Sequence, residues 1–109
     1  MRLREASKQL VTIRSPAESA NEDVYAWGEG TSIRAVIQPL AGSLERQRWG
    51  DRASAMRLML YDGPERLSMG MGVCVDVAAD APCDWRVVEL EKWDHQRATL
   101  EWIPEGNRA

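Results

Sequence analysis

The apolar residues of this chain come in short runs with a period of two, each ended within a few residues by glycine, proline or aspartate. A period of two is the pattern of a strand with one buried face. Breaks this frequent leave room for one or two helical turns and no more. Six such runs can be read. They are Gln9 to Arg14, Ser32 to Gln38, Arg57 to Tyr61, Val73 to Val77, Trp85 to Leu90, and Ala98 to Ile103. Gly28 and Gly30 are expected to break the chain before the second run. In the third, Leu58 and Leu60 share a face. Ser43 to Arg48 has helical propensity, with Trp49-Gly50 closing it.

Six short strands with hairpin-length links point to a small antiparallel barrel or sandwich. We take the all-β barrel, of about six strands, with a long loop or short helix between strands 2 and 3. The 109 residues make one domain, residues 1–109, with loosely held ends at 1–7 and 105–109. Five tryptophans and no phenylalanine are unusual. Trp85 and Trp102 fall in strands and are expected in the core, whereas Trp27, Trp49 and Trp93 fall in connections. The polar stretch Ala17 to Asp23 reads as a mobile loop leading to Trp27.

Fourteen basic against seventeen acidic residues give a net charge of −3, which argues against tight duplex binding across the whole surface. No stretch reaches the roughly 18 apolar residues of a membrane helix. The charged N-terminus has no apolar segment of signal-peptide type behind it, so the expected setting is a reducing cytoplasm, with no membrane partner.

Catalytic chemistry is hard to place. His95, the single histidine, lies at a hairpin tip beside Asp94 and reads as a turn residue touching that acid. Cys74 and Cys83 lack a Cys-x-x-Cys spacing and a second histidine, so a zinc site has too few soft ligands. A disulfide between them is conceivable from their places at two strand ends. A cytoplasmic setting favours two small buried thiols instead. The eight acids between Asp76 and Glu105 carry no calcium-loop pattern and read as a solvated sheet face. No catalytic residue, cofactor site or metal site is assigned, and the expectation is a protein that is not an enzyme.

One region stands apart. Ser43 to Arg57 carries Arg46, Arg48, Arg52 and Arg57 against Glu45 and Asp51, locally +2 in a chain of −3. It is either a loop with a helical turn folded back over the barrel, or a projecting element that meets a partner or a nucleic-acid backbone.

The order of segments resembles the small bacteriophage head–tail joining proteins, also called head-completion, stopper or adaptor proteins. The matching pieces begin with Gln-Leu-Val-Thr-Ile-Arg-Ser-Pro from Gln9, the polar loop to Trp27, and Ile33 through Gly42. A polar Glu/Gln/Arg stretch, Met56 to Tyr61, the Gly-Met-Gly-Val approach and two closing strands ending at Pro104 complete the order. The run Gly-Val-Cys-Val-Asp departs from the simpler late strands of that group and leaves stopper, adaptor and minor capsid roles open.

The resemblance implies a structural protein of the phage or prophage neck. It would assemble as a homo-oligomeric ring between the portal or adaptor and the tail-side neck proteins, first in the host cytoplasm and then in the virion. The loop between strands 2 and 3 would approach the channel, with transient contact to packaged DNA. On that reading the interaction loop is Leu44, Glu45, Arg46, Gln47, Arg48, Trp49 and Arg52. The stretch Ala17 to Trp27 would order on docking to a neighbour. The alternative is a stand-alone SH3-like or OB-like binding module. An OB-type reader would need aromatic residues on an open sheet face beside a basic groove, and the acidic late strands speak against it.

Overall fold

The computed structural model describes residues 3–17, 25–40, 48–92 and 95–108. Six strands form: β1 (Gln9–Ala17), β2 (Ala26–Pro39), β3 (Met56–Tyr61), β4 (Gly72–Cys74), β5 (Trp85–Lys92) and β6 (Gln96–Trp102). They close into an antiparallel barrel in the order β1-β2-β3-β6-β5-β4, with β4 returning to β1 through Thr12↔Cys74 and Ile13↔Val73. Short 3-10 turns cover Glu5–Ser7, Gly50–Ala55 and Glu105–Asn107. The all-β barrel with an intervening turn between β2 and β3 is therefore the architecture.

The barrel interior is filled from every strand by residues at alternate positions. Val11, Ile13, Ile33, Ala35, Met59, Tyr61, Val73, Trp85, Val87, Ala98 and Leu100 form one buried cluster, joined by Leu67 and Met71 from the β3–β4 connection. Each fully buried side chain of the size of Met59 or Leu100 contributes roughly 1.5–3 kcal/mol relative to exposure.

Several local expectations change in three dimensions. β2 starts at Ala26, so Gly28 and Gly30 lie inside a strand and Trp27 is a strand residue. Gly30 is tolerated there because the chain needs it: a Cβ would lie 2.7 Å from Thr12 Cγ2 on the neighbouring strand. β4 ends at Cys74, and Val75 to Val77 belong to the connection that follows. Trp85 is core, as expected, but Trp102 is 43% exposed.

Leu58 and Leu60 share a face of β3, as expected, and it is the outer one. Met59 and Tyr61 point into the barrel, while Met56 and Leu58 form a second cluster with Leu40, against which Trp49, Leu60 and Val88 pack. β3 is apolar on both faces because its outer side is covered as well.

A bulge in β5 completes that outer side. Val87 faces Leu100 and Glu89 faces Thr99, so Val88 is an extra residue. The shift returns Leu90 to the interior cluster and leaves Val88 on the outer one.

Over the described residues, both ends of the chain make hydrogen bonds to neighbouring segments. Leu3 N–H donates to Asp62 Oδ2 at 2.9 Å, and Lys8 Nζ reaches Asp62 Oδ1 at 2.8 Å and Glu5 Oε1 at 2.7 Å. At the other end, Tyr25 N–H donates to Asn107 O at 2.9 Å, and Arg108 Nε donates to Ile103 O at 2.8 Å. Residues 18–24, the bulk of the polar stretch, lie outside the described residues.

Candidate interaction surface

β2 ends at Pro39 and β3 begins at Met56, and these two ends are hydrogen-bonded neighbours with Pro39 opposite Arg57. A hairpin link of two to five residues would join them. The chain uses the sixteen residues 40–55 instead. Leu40 turns back onto Met56 and Leu58, residues 48 and 49 are helical, and a 3-10 turn from Gly50–Ala55 leads into β3. Gly50, with φ +59°, supplies the left-handed step between the two helical pieces.

Of the seven residues assigned to the interaction loop, Arg48, Trp49 and Arg52 are described; Leu44, Glu45, Arg46 and Gln47 lie outside the described residues. The three form one unit. Trp49 packs on the outer cluster of β3, and the guanidinium carbons of Arg48 and Arg52 lie 5.0 and 5.1 Å from its ring centroid. Arg48 then pairs with Glu89 of β5 through both nitrogens, one of them at 2.8 Å. Arg52 donates to Glu101 Oε2 of β6 from Nε at 2.8 Å and from Nη2 at 2.6 Å. The β5 bulge matters here, because without its extra residue Glu89 would alternate toward the interior.

This geometry changes the local charge count. Arg48, Arg52 and Arg57 are matched by Glu89, Glu101 and Asp76, acids that the sequence places 19 to 49 residues away. The apparent excess of +2 is therefore not an open basic patch over the described part of the segment. The acids of the late strands are correspondingly not all a solvated face. Glu89 and Glu101 hold arginines. Asp84, 2% exposed, accepts the Val75 and Asp76 N–H groups at 2.9 Å each.

Next to this unit lies a second feature, an open depression of about 390 Å³ lined by Tyr25, Arg86, Glu101, Trp102, Pro104 and Asn107, with Ile103 at its floor. Tyr25 stacks on Trp27 at 6.0 Å between centroids, Arg86 lies 5.1 Å from the Tyr25 ring, and Arg108 lies 5.3 Å from the Trp102 ring. Arg86 Nη2 also donates to Glu101 Oε1 at 2.9 Å, so Glu101 joins the depression to the covered face of β3. Sequence reasoning missed this feature. Its residues come from Tyr25 just before β2, from β5, from β6 and from the segment that follows it, and the available signal was the aromatic residues Tyr25 and Trp102 near strand ends.

His95 lies between β5 and β6, with Nδ1 buried and no hydrogen-bond partner among the described residues; Asp94, its expected neighbour, is not described. Among the described residues no three His, Cys, Asp or Glu side chains gather as a metal site, and no helix is long and apolar enough to cross a membrane. Cys74 and Cys83 are free thiols, both buried.

No family model and no curated protein matches the chain. Among solved structures, the chain is similar to the solution structure of protein SF1141 from Shigella flexneri 2a. The two are 14% identical with a TM-score of 0.61, over 95% of this chain and 96% of that one. At that identity the likeness concerns the fold, and it extends over the whole barrel.

Proposed function

We propose that this chain is a structural protein of a phage or prophage neck, acting as one subunit of a ring between portal and tail. The observation that carries the reading is the sixteen-residue connection between two adjacent barrel strands. Adjacent antiparallel strands are ordinarily joined by two to five residues, and much longer connections are usually functional or linker segments. This one is anchored at its C-terminal end by Trp49, Arg48 and Arg52.

A channel element must touch DNA without holding it. Arginines already paired to acids on their own barrel release few phosphate counterions, which keeps such contact weak and passing. The resemblance in segment order, from Gln9 to Pro104, agrees with the same segment. A ring contact is heterologous and needs two different patches on each subunit. The aromatic depression around Tyr25 and Trp102 is suited to be one of them. The same depression also favours the alternative, a stand-alone SH3-like module that reads a peptide with its aromatic residues.

The test is co-sedimentation of the purified chain with DNA-filled, tail-less capsids, scored for binding and for DNA retention. Saturable binding with retention is expected of a stopper. Removing residues 44–47, while keeping Arg48, Trp49 and Arg52, is expected to preserve binding and abolish retention. Binding without retention by the intact chain marks an adaptor. Absence of binding removes the neck reading and leaves the module.

A further inference from the structure

We propose that Cys74 and Cys83 form a redox site, closing to a reversible intramolecular disulfide that fastens the β4–β5 connection to the barrel wall. Cys74 is the last residue of β4, and Cys83 lies two residues before β5. Their sulfurs are 3.3 Å apart, and the side chains are buried at 3% and 0% exposure. A disulfide needs about 2.05 Å between sulfurs, so a relative movement of roughly 1.2 Å closes the bond.

The approach is imposed by contacts that do not involve a bond between the sulfurs. Asp84, next to Cys83, accepts the N–H groups of Val75 and Asp76 at 2.9 Å, which folds the connection back on itself. Arg14 of β1 donates from Nη1 to Ala81 O at 3.2 Å and from Nε to Gly28 O at 2.8 Å. Gly72 leaves the space that Cys83 occupies: a Cβ there would lie 2.7 Å from Cys83 Sγ and 2.8 Å from the Trp27 ring. Two thiols are thus held face to face, in a chain with no other cysteine.

The two sulfurs are also unequal. The hydrogen bond between them draws Cys74 below the ordinary thiol range, and the same bond together with burial pushes Cys83 above it. Cys74 is therefore the attacking sulfur toward a low-molecular-weight disulfide such as oxidised glutathione. Its thiolate attacks one sulfur of that disulfide, forms a mixed disulfide and expels one glutathione thiolate. Cys83 then loses its proton and attacks Cys74 Sγ, expelling the second. The cysteine pair is oxidised by two electrons, the external disulfide is reduced to two thiols, and the two protons pass to the departing thiolates. The connection must open locally for the first attack, because both sulfurs are buried.

The experiment uses the unaltered full-length chain, equilibrated from both the reduced and the oxidised side in glutathione mixtures. Samples are quenched in acid, unfolded, alkylated and weighed intact. The expected product is a monomer lighter by two hydrogens and carrying no alkyl group. It should be reversed by dithiothreitol, with a thermal midpoint raised by roughly 5–10 °C over the reduced chain. Two alkyl groups at every glutathione ratio would overturn the proposal. So would a stable glutathione adduct or an interchain dimer as the main oxidised species, or a disulfide that forms only in denaturant.

Discussion

The Arg52 guanidinium carbon lies over the Trp49 ring, 5.1 Å from its centroid, and the same guanidinium carries two hydrogen bonds to Glu101 of β6. The contact joins the β2–β3 connection to the barrel wall, and its carboxylate is shared with Arg86.

Glu101→Gln is expected to loosen both arginines at once. Glu101 is 18% exposed but Arg52 is 54% exposed, so solvent screens much of the pair. A loss of about 1 kcal/mol follows, read as a lower denaturant midpoint at unchanged slope. Raising the salt to roughly 1 M should shrink the difference from the parent, since partly exposed pairs are screened.

Trp49→Ala should cost more, about 2–3 kcal/mol, because it uncovers Leu40, Met56 and Leu58 on the outside of the barrel. The exposed apolar strip should also bind a hydrophobic dye and promote self-association at high concentration. A variant that keeps parental stability and dye binding would mean that Trp49 is not the cover of this face.

Gly72→Ala is expected to destabilise by about 1–3 kcal/mol, since its Cβ would press on the buried Cys83 Sγ and on the Trp27 ring. Gly106→Ala is the control. Nothing lies within 4 Å of a Cβ at that position, and thermal melting should place it close to the parent.

The N-terminal tether should respond to pH at two ends. The hydrogen bond from Lys8 holds Asp62 below its ordinary 3.8, and the same bond raises Lys8 above its ordinary 10.5. The Asp62 contribution is fully present above 3.8 and is lost as pH falls through its depressed folded value. The Lys8 contribution is fully present below 10.5 and is lost as pH rises through its raised folded value. Amide exchange at Leu3, whose N–H donates to Asp62, should therefore show extra protection at neutral pH that is missing in Asp62→Asn.

The strands were legible because alternation is a local property. Ile33 and Ala35, or Ala98 and Leu100, announce a buried face without reference to any other residue, and each of the six runs contains a strand, though only Val73 and Cys74 of the fourth. β3 was legible as a strand but not as to its faces. Met56, Arg57, Leu58, Met59, Leu60 and Tyr61 offer apolar residues on both sides. Which side lies inside depends on Trp49 and Leu40 returning to cover the other. Gly28 and Gly30 misled for a related reason: both look like breaks, yet both lie within β2, and at Gly30 Thr12 of the neighbouring strand occupies the space a side chain would take.

The candidate site follows the same division. Charge and a tryptophan between the second and third runs mark Ser43 to Arg57 as unusual from sequence alone. That Arg48 and Arg52 are held by Glu89 and Glu101 could not be read there, because each pair spans more than forty residues and one depends on a single bulged valine. Local chemistry, then, determined that this chain makes short strands joined by turns, in one small domain. Only the closed barrel decided which faces are inside, which arginines are neutralised, and that two thiols nine residues apart face each other at 3.3 Å. Strand propensity and alternation act over a few residues, whereas burial and charge pairing are set by neighbours that closure brings together.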